Sequence, residues 1–381
     1  RHTMQADVGA TFNYRDTTLD IFNTTNGVGP VPQPIAVADA RVEEERVEPF
    51  ITDVWKINPQ FTLETGFIYE ASRITQTGDE EKEREFSYPK PRAILTWQAG
   101  ATDQLRASII RDVAQLDFAQ FASSINVVDS FSILGNPDLV PEKAWKYRIE
   151  WEKRFDRRGA LTIALFHDEV EDVQDFVERT ICITPGVDVA NCLAASLRAN
   201  DAYGNIGGGT RDGVEVRGAA PLSPLVPNAE IRFSGMWQEA EVLDPITGEA
   251  RRVSVENEWS YNASFRQELP SLKAAWGASA LRVSDRWEFK RAEDILFDRP
   301  GNRVDLFVES TGIIKGVTLR VSACNIFHPE DFRLRTFYFG DPLDPLAAPR
   351  STGVIERTED RKQKGGPEGT QVFAIRASGT F

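Results

Sequence analysis

The densest group of chemically capable side chains in this sequence is His167, Asp168, Glu169, Glu171, Asp172 and Asp175. A divalent-cation site needs several oxygens to converge on one point. On an extended strand, alternate side chains point to opposite sides, so only half of this group can face one ion. The group therefore reads as a solvated acidic strand tip, and no metal is expected. Gly204-Asn205-Ile206-Gly207-Gly208-Gly209-Thr210 has the glycine density of a phosphate cradle. It lacks the Lys-Ser/Thr pair and the following helix that a P-loop requires, so it reads as a flexible loop leading into a strand. The three histidines, His2, His167 and His328, lie far apart, and Cys324 has no base beside it in sequence. No nucleophile and base stand at a recognisable spacing, so the chain is not read as an enzyme and no cofactor is expected.

Ligand contact is a better use for the remaining aromatic and polar residues. Phe118, Phe121 and Phe131 fall in the polar stretch 113–142, and Asn200, Asp201 and Tyr203 fall in 180–210. Long loops on a rigid scaffold are where binding residues concentrate, so these six are the expected contacts for a small solute. Cys182 and Cys192 lie in the second stretch and could form a local disulfide in an oxidising compartment; two free loop thiols are the alternative.

The elements that must carry these loops are strands. In 143–155, Trp145, Tyr147, Ile149, Trp151 and Phe155 alternate with Lys146, Arg148, Glu150, Glu152 and Arg154. A period of two places a strand between an apolar medium and a wet one. The pattern recurs at 104–111, 229–237, 317–327 and 369–381. Many runs exceed ten residues, longer than ordinary strands. The wet face collects Arg106, Arg148, Arg217, Arg232, Arg266, Arg320 and Arg376 with Glu150, Glu215 and Glu309. Such charges either form ion pairs along any hydrated wall or line a solute path.

Connections sort by length. Short turns are expected near 58–59, 99–103, 156–159, 224–228, 270–272 and 312–316. Long segments are expected at 23–44, 77–87, 113–142, 180–210, 244–250, 291–301 and 341–368. Strict alternation of tight and long connections is the asymmetry of an outer-membrane β-barrel, with periplasmic turns and extracellular loops. The count is about fourteen antiparallel strands, the first over roughly 3–22 and the last over roughly 369–381. Trp55, Trp97, Trp151 and Trp276 near short turns, and Trp145, Trp237, Trp259 and Trp287 nearer long loops, would make two aromatic girdles.

Composition is compatible with this reading. Mean hydropathy is -0.35, and no run approaches the roughly 18 apolar residues of a membrane helix. A barrel strand meets lipid only at every second residue, so its average hydropathy stays low. A net charge of -14 argues against nucleic acid as a partner.

Residues 86–177 resemble TonB-dependent receptors. The matching text runs from Phe86-Ser87-Tyr88-Pro89 through Gly135-Asn136-Pro137-Asp138-Leu139-Val140-Pro141-Glu142, a segment that in that family closes an extracellular loop ahead of a long inward strand. Gly213-Val214-Glu215-Val216-Arg217-Gly218, Asn325-Ile326-Phe327 and the terminal Ala377-Ser378-Gly379-Thr380-Phe381 extend the resemblance, and Phe381 looks like the signal read by the outer-membrane assembly machinery. The resemblance implies active uptake of a scarce solute, of the siderophore, cobalamin or oligosaccharide class, across a Gram-negative outer membrane. It also implies a barrel of roughly 22 strands, of which residues 1–381 would be the C-terminal part. The plug domain, through which the TonB complex acts, finds no counterpart in the chain. A plugless passive pore and a secreted β-rich adhesin or sugar-binding module are the alternatives.

Overall fold

The computed structural model describes the chain except for residues 24–28, 34–35, 127–130, 156–158, 185–186, 188, 224, 300, 364–369 and 380–381. One sheet dominates, and its fourteen long strands follow one another in chain order. They are β1 (His2–Thr18), β2 (Asp39–Lys56), β3 (Phe61–Gly78), β4 (Lys82–Gln98), β5 (Asp103–Val113), β6 (Lys143–Phe155) and β7 (Gly159–Glu171). The series continues with β8 (Gly209–Pro221), β9 (Ala229–Leu243), β10 (Trp259–Leu269), β11 (Ala274–Val283), β12 (Arg303–Ile314), β13 (Val317–Cys324) and β14 (Val372–Gly379). Every neighbouring pair is antiparallel. β1 and β14 are the edges of this sheet among the described residues.

The two faces of the wall differ as the alternation requires. One face is apolar and open: Ile149 and Leu165 are each 58% exposed, and Val321, Phe373 and Ile375 stand beside them in character. A contiguous greasy face of this size needs lipid or another apolar surface against it. The other face carries cross-strand ion pairs. Arg148 contacts Glu215 at 2.6 Å, Arg217 contacts Glu150 at 3.5 Å, and Arg266 contacts Glu309 at 2.5 Å. Lys90 lies between Glu48 at 2.7 Å and Glu70 at 2.6 Å. Most of these pairs reach across an intervening strand on the same face, and they favour one register, because a slip of one residue would carry each charge into the apolar face.

Aromatic residues mark both strand ends. Trp97 stacks on Phe61 at 5.8 Å, and Trp276 donates to Gln267 at 2.9 Å, both near short turns. At the far end Trp259 stacks on Tyr261 at 6.2 Å, with the Arg282 guanidinium 5.3 Å above its ring. Trp287 departs from this scheme, since it belongs to a short strand, Arg286–Phe289, above the wall.

Three expectations about connections change. Residues 77–87 are almost entirely strand: β3 and β4 are joined by 79–81 alone, and Gln76 still pairs with Lys82. Their composition is polar because this hairpin stands in water beyond the apolar band, held by pairs such as Arg73 with Glu85 at 2.7 Å. β1 ends at Thr18 instead of continuing to 22, and Ile21–Asn23 pairs with Val31–Gln33. The remaining long connections contain their own structure. Ser124–Asn126, Phe131–Leu134, Gln174–Cys182 and Leu197–Asn205 form one small sheet; Arg286–Phe289, Glu293–Asp298, Asp331–Tyr338 and Ile355–Gln363 form another.

Candidate functional site

The long connections build a cap on one rim, and part of it folds onto the charged face of the wall. Phe121, 2% exposed, packs against Val42, Ile74 and Leu139. Val42 and Ile74 share a strand face with Glu44 and Glu70, so this loop covers the luminal side. A short 3-10 turn, Phe118–Phe121, positions the ring, and the Asp117 carboxylate caps it by accepting the Ala119 N–H at 2.9 Å. Phe118 meets Phe121 edge to face at 6.0 Å.

The Gly135-Asn136-Pro137 segment is the crossing point of this loop with the next. The Asn136 amide donates to the Tyr203 carbonyl at 2.8 Å, and its backbone N–H donates to the Gln120 carbonyl at 2.9 Å. Gly135 passes so close to the 3-10 turn that a Cβ there would lie 2.2 Å from the Phe121 carbonyl oxygen. No side chain fits without moving backbone, which accounts for the glycine. Gly135→Ala is expected to cost about 1–3 kcal/mol of local stability, the range for overpacking. The check is hydrogen exchange over 114–142, which should quicken while exchange in the wall strands stays unchanged.

A buried charge centre ties the other loops together. Arg251 bridges Asp175 at 2.8 Å and Asp244 at 2.5 Å, and Asp244 also receives Arg350. The side chains of Asp175, Asp244 and Arg350 are at most 4% exposed. The guanidinium of Arg251 lies 4.4 Å from the centre of the Phe289 ring, and that of Arg350 lies 5.5 Å from it. Burial pulls the Arg350 guanidinium down to about 10, against the attraction of Asp175 and Asp201. Beside this centre Arg335 forks onto Glu293 at 2.5 and 2.7 Å.

The residues expected to meet solute are divided by this arrangement. Phe121 is enclosed in the seam between loop and wall. Tyr203 stacks on Phe176 at 4.9 Å and borders the same cluster. Asp201 accepts the Arg291 N–H at 2.5 Å. Asn200 lies beside it on Leu197–Asn205, and Phe131 opens Phe131–Leu134. Cys182 and Cys192 are bonded to each other across 5.8 Å of Cα separation. Phe381 lies outside the described residues. Of the acidic group at 167–175, His167 pairs with Asp212 at 2.7 Å in an exposed position, and Lys143 takes Asp172 at 2.7 Å. Asp175 corrects the reading of a solvated tip: it is buried beneath Arg251. No group of three metal-binding side chains is found among the described residues. The glycine-rich run resolves into the end of Leu197–Asn205, a short link at 206–208 with Gly207 at φ 102°, a conformation glycine adopts freely, and the start of β8.

Burial pushes the Asp201 carboxyl up from its ordinary value, more than the Arg291 amide lowers it. The folded state then holds this proton more tightly than the unfolded chain. The group adds stability below its unfolded value and subtracts it as pH rises through the raised one. Resistance of the cap to protease is therefore expected to improve on mild acidification. Asp201→Asn, whose side-chain oxygen can still accept the Arg291 N–H, should flatten that dependence.

Residues 1–326 match the model of a family described as TonB dependent receptor-like, beta-barrel. The chain belongs to this family. No curated protein matches it in sequence. Solved TonB-dependent receptors share its fold at low identity. The siderophore receptor PiuA from Acinetobacter baumannii is 15% identical, with a TM-score of 0.57 over 87% of this chain and 50% of that one. The ferric-catecholate import receptor Fiu from K12 E. coli is 12% identical, with a TM-score of 0.59 over 99% and 51%. The copper transporter OprC is 11% identical, with a TM-score of 0.61 over 86% and 50%. The chain thus spans about half the length of these receptors. Members of the family are receptors and transporters of Gram-negative outer membranes, not enzymes.

Proposed function

We propose that this chain forms the wall and extracellular cap of an outer-membrane receptor that captures a small, scarce solute and imports it with energy from the TonB complex. The carrying observation is the pairing of a two-faced wall, apolar outside and charged inside, with a cap folded onto the luminal side. A receptor that holds its cargo before release needs such a cover over its lumen, and the family match over residues 1–326 favours the receptor over a passive pore.

In this reading the solute is of the siderophore, cobalamin or oligosaccharide class. Phe118, Asn200, Asp201 and Tyr203, with Phe131 on the neighbouring strand, are the proposed contacts; Phe121 joins them only when the 114–142 loop lifts. Outer-membrane lipid surrounds the wall, the assembly machinery inserts it through a signal ending at Phe381, and TonB acts through a plug. Deleting the gene should abolish energy-dependent uptake of one solute among those three classes, and re-expressing the full-length receptor should restore it. Uptake that is lost but independent of the proton-motive force would favour the passive pore. Uptake unchanged for every solute tried would remove the import reading.

A further inference from the structure

We infer that the outward face of the wall carries a site for the phosphate of an outer-leaflet glycolipid, built on Arg282. β11 places this residue on the apolar side. Trp276 has the same parity on β11 and lies opposite Val308, which lies opposite Val321 on β13, and both valines belong to the exposed greasy face. Opposite Arg282 on β10 stands Tyr261, and Trp259 on the same face of β10 lies opposite Trp237 on β9. These rings belong to the outer aromatic girdle, the level at which lipid headgroups begin.

Arginines are common at this level, and each of the others has a carboxylate. On the outward face Arg41 meets Asp16 at 3.7 Å, Arg73 meets Glu85 at 2.7 Å, and Arg111 meets Glu171 at 3.0 Å. Arg111 is the close parallel, since its guanidinium lies 5.5 Å from the centre of the Trp145 ring. Arg282 repeats that arrangement over Trp259 at 5.3 Å, yet among the described residues no carboxylate pairs with it, and its Nε has no hydrogen-bond partner. At the first position the chain supplies the anion; at the second it leaves the place to the surroundings. Acidic residues outnumber basic ones by 58 to 44, so a shortage of carboxylates is not the reason.

The neighbouring groups suit an oxygen-rich anion. β11 and β12 last pair at Leu281 and Arg303, so the next position along the register brings Asn302 to Arg282. The Tyr261 hydroxyl donates to Asn302 Oδ1 at 2.6 Å, which leaves the Asn302 amide nitrogen as a donor. A guanidinium fork beside an amide offers a phosphate several N–H groups at once. A soluble anion would have to leave bulk water to reach this girdle. A lipid phosphate is held at this depth by its own acyl chains, and the arginine stem lies along apolar surface while its head meets the headgroup. The inference requires the wall to stand in an outer membrane and is independent of what the receptor imports.

The test titrates the full-length receptor in detergent with lipid A, the phosphorylated glycolipid anchor of the outer leaflet, and with the same lipid after enzymatic removal of its phosphates. Bound lipid is counted by native mass spectrometry. Wild type should prefer lipid A by roughly fivefold, the effect of one basic residue near an anionic membrane surface. Arg282→Gln should remove most of that preference, Arg282→Lys should keep part of it, and Arg111→Gln should leave it unchanged. Asn302→Asp places a carboxylate beside Arg282, as Glu171 stands beside Arg111, and should also lower lipid A binding; it decides the question if Arg282→Gln fails to assemble. Equal binding of the two lipids by wild type, or equal binding of lipid A by wild type and both site variants, overturns the inference. Either result in a receptor that imports its solute normally removes this inference alone; a gene deletion that alters no uptake removes the import reading whatever lipid A does.

Discussion

Asp244→Ala is expected to unfasten the extracellular cap while the wall stays intact. The Asp244 carboxylate is the shared partner of Arg251 and Arg350, and its other oxygen accepts the N–H groups of Ile246 at 2.8 Å and Thr247 at 3.0 Å. Alanine removes all four interactions and leaves two guanidiniums with side-chain exposures of 9% and 4%. Breaking a buried pair by deleting one partner costs about 3–5 kcal/mol, because the remaining charge is buried with fewer partners; here Arg350 retains Asp294 at 3.3 Å. Arg251 keeps Asp175, but Arg350 loses its strongest partner, so the 339–354 segment should detach first. Limited proteolysis of the receptor in outer-membrane preparations should cut within 244–254 and 339–354. The folded barrel should keep its anomalous gel mobility before heating. Asp244→Asn, which preserves acceptors for the two backbone N–H groups, should fall between wild type and alanine.

Ile149→Arg should destabilise the wall by about 2–4 kcal/mol, the cost of a cation facing lipid near the bilayer midplane. Ile149 lies at the centre of β6, opposite Leu165 on β7 and Ala107 on β5, and is 58% exposed on the apolar face. Its neighbour Arg148 points to the other side and is already charged, paired with Glu215. Arg148→Leu should therefore cost its ion pair and little else. Unfolding in urea from lipid vesicles measures both, and similar costs at the two positions would remove the distinction between the faces.

How much of this was legible in the sequence differs by element. β6 announces itself, because Trp145, Tyr147, Ile149 and Trp151 alternate with charge without interruption. The order and number of wall strands follow from similar runs and from the length sorting of their connections. The β3–β4 hairpin is hidden beyond residue 77, because Glu80 to Glu85 lack apolar residues and a strand in water on both faces looks like a loop. The charge centre of Asp175, Asp244, Arg251 and Arg350 could not be read at all. Its members come from three distant segments, and no local periodicity links them. Asp175 in particular resembled its exposed acidic neighbours and differs only through what the fold lays over it.

The most direct test of the two-faced wall is a cysteine scan along 145–152 in a Cys324→Ser background, probed in outer membranes with a charged, water-soluble thiol reagent. Cysteines at 146, 148, 150 and 152 should react, and those at 145, 147, 149 and 151 should be shielded. Uniform labelling, or labelling that follows a helical period, would contradict a wall with lipid on one side and water on the other.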